Sequence, residues 1–330
     1  MILAGDIGGT KTVLALFEPD GEGLRQVRDA TFPSREHATF EEVLTGFLGD
    51  KPASGIRAAC FGVAGAVVDG RVQTTNLPWT LEEGPLAEAI GTHRATLLND
   101  LEAAAYGTLH LSLEEKHVLN PGTSRRKRGN IAVIAAGTGL GEAILFFDGE
   151  KYQPIASEGG HSDFAPQSDV EVELLRHLRS RFGGHVSYER VLSGPGFFNV
   201  YSFFRDTGHA PEPDWLAQRL RAGDPSAVVA EVGLAGKDVN CVATLDLFAT
   251  IYGAEAGNLA LKALAVGGVF IAGGIAPKLL PALTRDNAFL KGFFAKGRFS
   301  ELMKNLHVSV ALNPRVPLIG AAYYAQQHAV

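Results

Sequence analysis

Short apolar runs that end in glycine set the layout of this chain. Residues 2–6, 12–17, 56–64, 95–98, 130–136, 142–147 and 267–272 are rich in Val, Ile, Leu, Phe and Ala. They are too short for helices and predict strands. Residues 39–48 carry Phe40, Val43, Leu44 and Phe47 at helical spacing. Val170, Leu174, Leu178 and Phe182 recur every four residues, and Ser168-Asp169-Val170-Glu171 predicts a capping box ahead of them. Further helices are predicted after Asp100, where Ala is abundant, over 246–264, from Lys278 onward, and over 318–328. Asp69-Gly70 predicts a hairpin turn within 67–77, while the prolines at 211, 213 and 225 mark loops.

The glycine turns carry the first candidate chemistry. Gly8-Gly9-Thr10 joins the first two strands as a hairpin. Gly5-Asp6-Ile7-Gly8-Gly9-Thr10-Lys11-Thr12 differs from a Walker A motif at one position. A Walker A turn must open a helix, however, and residues 12–17 predict a strand. Successive N–H groups in such a turn can still form an anion nest for phosphate, with Asp6 holding Mg²⁺ through water. The same residues equally make an ordinary hairpin turn. Gly137-Thr138-Gly139-Leu140-Gly141 lies about 130 residues further on and repeats the order strand, turn, strand. This repetition predicts two related halves acting on one ligand. The spacing is not that of a dinucleotide-binding turn, which also leads into a helix. A third turn, Gly273-Gly274, leaves room for a flat nucleotide against the backbone.

Three polar groups stand apart from the core pattern. Asn99 and Asp100 sit where a strand gives way to a helix. Either residue suits an N-cap, and Asp100 equally suits a general base at the carboxyl end of a strand, where open α/β sheets bind ligands. In Ser157-Glu158-Gly159-Gly160-His161 a Glu and a His flank two glycines, which fits a surface loop or hydrogen bonding to a polyhydroxylated small molecule. Glu189, shortly before Leu192-Ser193-Gly194-Pro195-Gly196, reads on its own as a surface carboxylate.

Composition narrows the class. With 330 residues the chain is long enough for two domains with cores, and 46% hydrophobic against 20% charged residues is a globular balance. The net charge of −6 argues against a nucleic-acid surface, and Arg125-Arg126-Lys127-Arg128 reads as a solvated loop. Cys60 and Cys241 make neither a disulfide framework nor a four-ligand zinc site, and Cys60 reads as a small buried hydrophobe. No run of about 18 apolar residues appears and a strand opens at Ile2, so neither a membrane span nor a signal peptide is expected, and a cytoplasmic location is.

Taken together and in order, several motifs resemble the bacterial glucokinase family. They are Gly5-Asp6-Ile7-Gly8-Gly9-Thr10, Gly62-Val63-Ala64-Gly65, Thr75-Asn76-Leu77-Pro78-Trp79, Leu98-Asn99-Asp100, Gly137 to Gly141, Ser157 to His161, Glu189 with Leu192 to Gly196, and Ala272-Gly273-Gly274-Ile275. Lys11 stands where the nearest glucokinases carry Asn, and in this the chain resembles the broader repressor and sugar-kinase family. The cysteine-rich zinc motif of that family is one that two cysteines cannot supply. The resemblance implies an α/β fold of the sugar kinase, heat-shock protein and actin group, with two ribonuclease H-like domains flanking a cleft. Residues 1–109 plus 313–330 would be the small domain and 110–312 the large one.

By the same resemblance, Gly5, Asp6, Ile7, Gly8, Gly9 and Thr10 would bind ATP phosphates, with Gly137, Thr138 and Gly139 opposite. Gly273 and Gly274 would lie near adenosine. Asn99, Asp100, Glu158, His161 and Glu189 would hold glucose. The implied reaction is MgATP-dependent phosphorylation of glucose with Asp100 as base, in a cytoplasmic homodimer binding neither nucleic acid nor membrane. The alternatives are a kinase for fructose, mannose or an N-acetylated amino sugar, and a sugar-sensing regulator on the same scaffold. A regulator needs a DNA-reading helix-turn-helix, which the opening strand at Ile2 does not predict.

Overall fold

The computed structural model describes residues 1–21, 23–49, 55–123 and 128–329. The basic run at 125–128 therefore falls, but for Arg128, outside the described residues. The chain divides into two compact units. One comprises Met1–Glu115, Tyr152–Ala156 and Asn313–Val330, the other Lys116–Lys151 and Ser157–Leu312.

The first unit is built on strands β1 (Ile2–Ile7), β2 (Lys11–Asp20), β3 (Gly23–Pro33), β4 (Ala58–Val63) and β7 (Ala95–Asn99). Two short strands, β5 (Arg71–Gln73) and β6 (Thr80–Glu82), pair separately. The main sheet runs β3-β2-β1-β4-β7. β1 pairs antiparallel with β2, then parallel with β4, which pairs parallel with β7. The second unit holds β8 (Lys116–Asn120), β9 (Ile131–Ala136), β10 (Leu140–Phe147), β12 (Gly268–Ala272) and β13 (Val308–Ala311), while β11 (Tyr152–Ile155) groups with the first unit. Here β9 pairs antiparallel with β10 and parallel with β12, and β12 parallel with β13. Each unit thus repeats one scheme, a hairpin whose first strand adjoins two parallel strands, and the repeat anticipated from the two glycine turns is present.

Both faces of the first sheet are covered, so alternate residues of each strand enter different cores. Leu3 and Ile7 of β1 with Phe61 and Val63 of β4 pack against Phe40, Val43 and Phe47 of the helix Phe40–Leu48. Ile2, Ala4, Ala58 and Cys60 face the other way, onto Leu318, Ala321, Ala322 and Ala325 of the helix Val316–Gln327. That C-terminal helix also crosses the helix Asp100–Thr108 with backbones in contact. A Cβ on Gly320 would lie 1.8 Å from the Ala103 carbonyl oxygen, and one on Gly107 would lie 2.0 Å from that of Val316. Only glycine fits at such a crossing.

Other elements adjust the sequence reading. The strand at β2 removes the Walker A geometry, as anticipated. Asp69 and Gly70 both take positive φ in a two-residue turn closed by mutual Val68 and Arg71 hydrogen bonds. The capping box expected at Ser168 does not form. The Ser168 hydroxyl donates to the Glu171 carboxylate at 3.0 Å instead of accepting from the helix backbone, and Glu171 receives the Gln167 N–H. The helix expected over 246–264 begins earlier and spans Val239–Ala263, capped by the Asp238 side chain on the Cys241 N–H. Beyond Gly274 the chain makes two short helices, Ile275–Lys278 and Leu280–Thr284, rather than one. Cys60 and Cys241 are buried free thiols.

Replacing Gly320 by Ala forces apart two packed backbones and is expected to cost about 2–3 kcal/mol. Gly84→Ala, at an open helical position with nothing within 4 Å, should gain about 0.5–1 kcal/mol. Urea unfolding of both variants measures this; a Gly320→Ala variant as stable as the parent contradicts the tight crossing.

Candidate functional site

The first unit gathers its candidate residues at the carboxyl ends of β1 and β7. Residues Asp6 and Ile7 close β1, in register with Gly62 and Val63 of β4, and Val63 is in register with Asn99 of β7. Asn99 is held from several directions. Its Oδ1 accepts the Leu101 N–H at 2.9 Å, its Nδ2 donates to the Gly65 carbonyl at 3.0 Å, and its own N–H donates to the Glu102 carboxylate at 2.9 Å. The N-cap reading therefore holds for Asn99, which forms the full capping box with Glu102. Asp100 is the first residue of the helix, half-buried, where the helix dipole favours a negative charge.

The Gly8–Thr10 turn lies at the same end of β1. The Gly8 N–H donates to the Lys11 carbonyl within the turn, so one donor of the expected anion nest is already committed. Thr10 and Lys11 are exposed. Ser34, fully buried, donates its hydroxyl to the Gly8 carbonyl at 2.8 Å, approaches Thr12 Oγ1 at 3.0 Å, and donates its N–H to the Thr10 carbonyl. Sequence reasoning missed Ser34, since a lone serine after a strand carries no pattern. Asp6 is half-buried beside Asp100, and burial, then the Asp100 charge, push its carboxyl from 3.8 up to about 6, against the pull of Lys11.

In the second unit Gly137–Gly139, Glu158–His161 and Glu189 are tied together directly. Glu189 Oε2 accepts the Leu140 N–H at 3.0 Å, and a Cβ at Gly139 would lie 2.6 Å from that oxygen. The Ser162 carbonyl accepts the Tyr188 N–H at 3.0 Å, joining the Glu158–His161 segment to the turn that carries Glu189. Gly160 sits against β10, where a Cβ would meet the Leu140 carbonyl at 2.0 Å, while Glu158 and His161 on either side of the glycine pair are exposed. Gly194 donates its N–H to the Gly137 carbonyl at 2.8 Å. Gly273, with φ +81°, abuts the Ala136 carbonyl, so the ends of β9 and β12 lie side by side; Gly273 and Gly274 are exposed. Two glycine turns and the segments carrying three polar side chains thus lie about the ends of β9, β10 and β12.

Strand order and the placement of polar groups at strand ends define a member of the actin-like ATPase fold, within the group that includes sugar kinases. A glucokinase family model matches residues 3–328. The chain is 40% identical to a glucokinase of Nostoc punctiforme and 41% identical to one of Trichormus variabilis, each match covering 98% of both chains. A crystal structure of glucokinase from an Antarctic psychrotroph superposes with a TM-score of 0.86 at 32% identity, covering 99% of this chain and 98% of the other. The chain belongs to the glucokinase family.

Between about pH 4 and pH 6 the native protein keeps a proton on Asp6 that the unfolded chain has released. Asp6 therefore costs stability as pH rises through that window, by at most about 3 kcal/mol. Asp6→Asn should match the parent near pH 4 and exceed it by about 1–2 kcal/mol at pH 7 in cation-free buffer. Urea midpoints across this range test it, and a pH-independent difference counts against the shifted carboxyl.

Proposed function

We propose that this protein transfers the γ-phosphoryl group of ATP to the 6-hydroxyl of glucose. Family membership over nearly the whole chain is the observation that carries this reading. Asp100 accepts the hydroxyl proton as the sugar oxygen forms its bond to the γ-phosphorus and the bond to the bridging oxygen of ADP breaks. Little covalent work falls to the protein, so positioning and charge stabilisation supply most of the acceleration. The Asn99 cap supports this role, because it fixes the residue directly before Asp100 to β7, to Gly65 and to its own helix.

Asn99, Glu158, His161 and Glu189 take the sugar hydroxyls. A site built to pair each hydroxyl leaves buried polar groups unpaired when a substrate lacks one, which gives selectivity. Asn99 has one amide hydrogen beyond the bond to Gly65 for this purpose, and Glu189 has its Oε1 beyond the bond to Leu140. Gly5 to Thr10 and Gly137 to Gly139 receive the phosphates through backbone N–H groups, and Gly273 and Gly274 lie near the adenosine. Asp6 suits Mg²⁺, a hard cation that keeps most of its waters and needs few protein oxygens; the Asp100 carboxylate beside it adds a second negative charge there. The ion would neutralise phosphate charge. Among the described residues no helix is long and apolar enough to cross a membrane, and we place the enzyme in the cytoplasm as a homodimer.

A coupled assay for sugar phosphate and ADP tests the reading. Turnover with glucose and MgATP is expected, with fructose, mannose and N-acetylglucosamine weaker. Asp100→Asn should lower kcat about 10²–10⁴-fold while calorimetry still detects glucose binding. Faster turnover with another hexose changes the substrate, and near-normal turnover of Asp100→Asn removes it from the base role.

A further inference from the structure

Behind the Glu158–His161 segment lies a carboxyl cluster that the reaction does not use. Glu142, on β10, and Glu255, in the helix Val239–Ala263, are 1% and 0% exposed and lie near enough for the charge of one to act on the other. One oxygen of each, Glu142 Oε1 and Glu255 Oε1, meets no donor among the described residues. Two adjacent buried carboxylates cannot both stay ionised, and two ionised carboxylates have no hydrogen to share. A single proton between them answers both problems.

The surroundings connect this pair to the sugar-facing backbone. Glu142 Oε2 lies 2.1 Å from where a Gly159 Cβ would sit, so the carboxyl rests directly under the glycine between Glu158 and His161. Tyr188, adjoining Glu189, lies near enough to Glu255 for the carboxylate charge to act on its hydroxyl. Asn258 Nδ2 donates to both the Tyr188 oxygen, at 3.1 Å, and Glu255 Oε2, at 2.8 Å. Lys296 Nζ in turn donates to Asn258 Oδ1 at 2.7 Å and to the Ala254 carbonyl at 2.8 Å. Tyr252, whose oxygen accepts the Ala136 N–H at 3.1 Å, brings the end of β9 into the same cluster.

We propose that Glu142 and Glu255 share one proton and act as positioning residues, setting the backbone height of the Glu158–His161 segment and the Tyr188–Arg190 turn and so the affinity for sugar. This rests on the glucose-kinase reading, because it takes Glu158, His161 and Glu189 as sugar ligands. Releasing the proton places two negative charges beneath Gly159 and beside Tyr188. The charged and titratable neighbours are Lys262, whose Nζ is 3.8 Å from Glu255 Oε1, with Lys296, Glu171, Tyr188 and Tyr252. Lys262 opposes the proton's retention, while burial and Glu255 favour it more strongly and hold the Glu142 carboxyl well above the ordinary range.

The test is the KM for glucose and for ATP from about pH 6 to about pH 9.5 in the native enzyme, Glu142→Gln and Glu142→Ala. Gln keeps a donor at this position and cannot ionise. Native glucose KM should rise about tenfold per pH unit above the point where the pair loses its proton, with ATP KM changing less than about twofold. Glu142→Gln should hold a low glucose KM throughout, and Glu142→Ala should show a raised one even at pH 6. The infrared carbonyl band of a protonated carboxyl should be present in the native protein at neutral pH and absent in Glu142→Gln. A glucose KM independent of pH, a Glu142→Gln profile that follows the native one, or no difference in the infrared band overturns the proposal. Absence of glucose turnover by the native protein at every pH instead overturns the kinase reading, and the positioning role falls with it.

Discussion

Asn99 is the constraint on which the first unit's chemistry depends. A strand end is normally a place where the backbone is free to wander, and a helix start leaves N–H groups without partners. Asn99 removes both freedoms at once. Its amide nitrogen reaches the Gly65 carbonyl beyond β4, and its amide oxygen closes the helix that Asp100 begins. Glu102 completes the box from the far side. The helix itself is then pressed against the C-terminal helix through Gly107 and Gly320. The backbone that carries Asp100 is thus fixed on both sides, which is what the proposed base role requires of it.

The second unit solves the same problem with different groups. No single cap fixes its polar residues; they are wired to one another. Glu189 reaches the backbone at Leu140, Tyr188 reaches Ser162, and Gly194 reaches Gly137. The glycines between these turns leave no side chain to cushion the contacts, so the turns pack directly on one another. Gly139 and Gly160 are there because Glu189 and the Leu140 carbonyl occupy the space of their Cβ atoms. Glycine in these motifs thus marks close approach to a partner, as much as backbone freedom.

Much of this was legible in the sequence. The strands that end at Ile7, Asn99, Ala136 and Ala272 are short apolar runs, and the repeated hairpin follows from two glycine turns with strands on either side. The pattern Ser-x-x-Glu predicts a capping box at Ser168 that does not form, because the pattern does not say which way the serine hydroxyl points. The true box, at Asn99 and Glu102, uses the rarer Asn. The helix Val239–Ala263 is longer than its pattern predicts because burial on nearly all sides removes the periodicity of its first turns. The helix Gly194–Asp206 was hidden by its opening Gly-Pro-Gly, although proline in a first turn is itself a start signal. Strand β3 has mostly exposed, polar residues and so no apolar alternation to detect. Glu142 was absorbed into its strand, since a lone Glu among apolar residues looks like an outward-facing position; it faces inward only because Gly159 makes space for it.

Each unit therefore carries a pair of mutually repelling carboxyls beside its first hairpin, and the two pairs differ in access to water. Asp6 is half-buried, and the Asp100 charge is the second cause of its raised proton affinity. Positive charge arriving from solvent can relieve that repulsion, so the pair is suited to a transient role in a reaction that gathers negative charge. Glu142 and Glu255 are buried, and Lys262 at 3.8 Å from Glu255 relieves their repulsion only in part, so burial and that repulsion favour a retained proton. Burial decides which role follows. An accessible pair responds to what binds, whereas a sealed pair holds its proton and with it the shape of the loops above. Exchanging the two environments would forfeit both properties, since a sealed Asp6 could not respond to an incoming cation and a wetted Glu142 would ionise beneath Gly159.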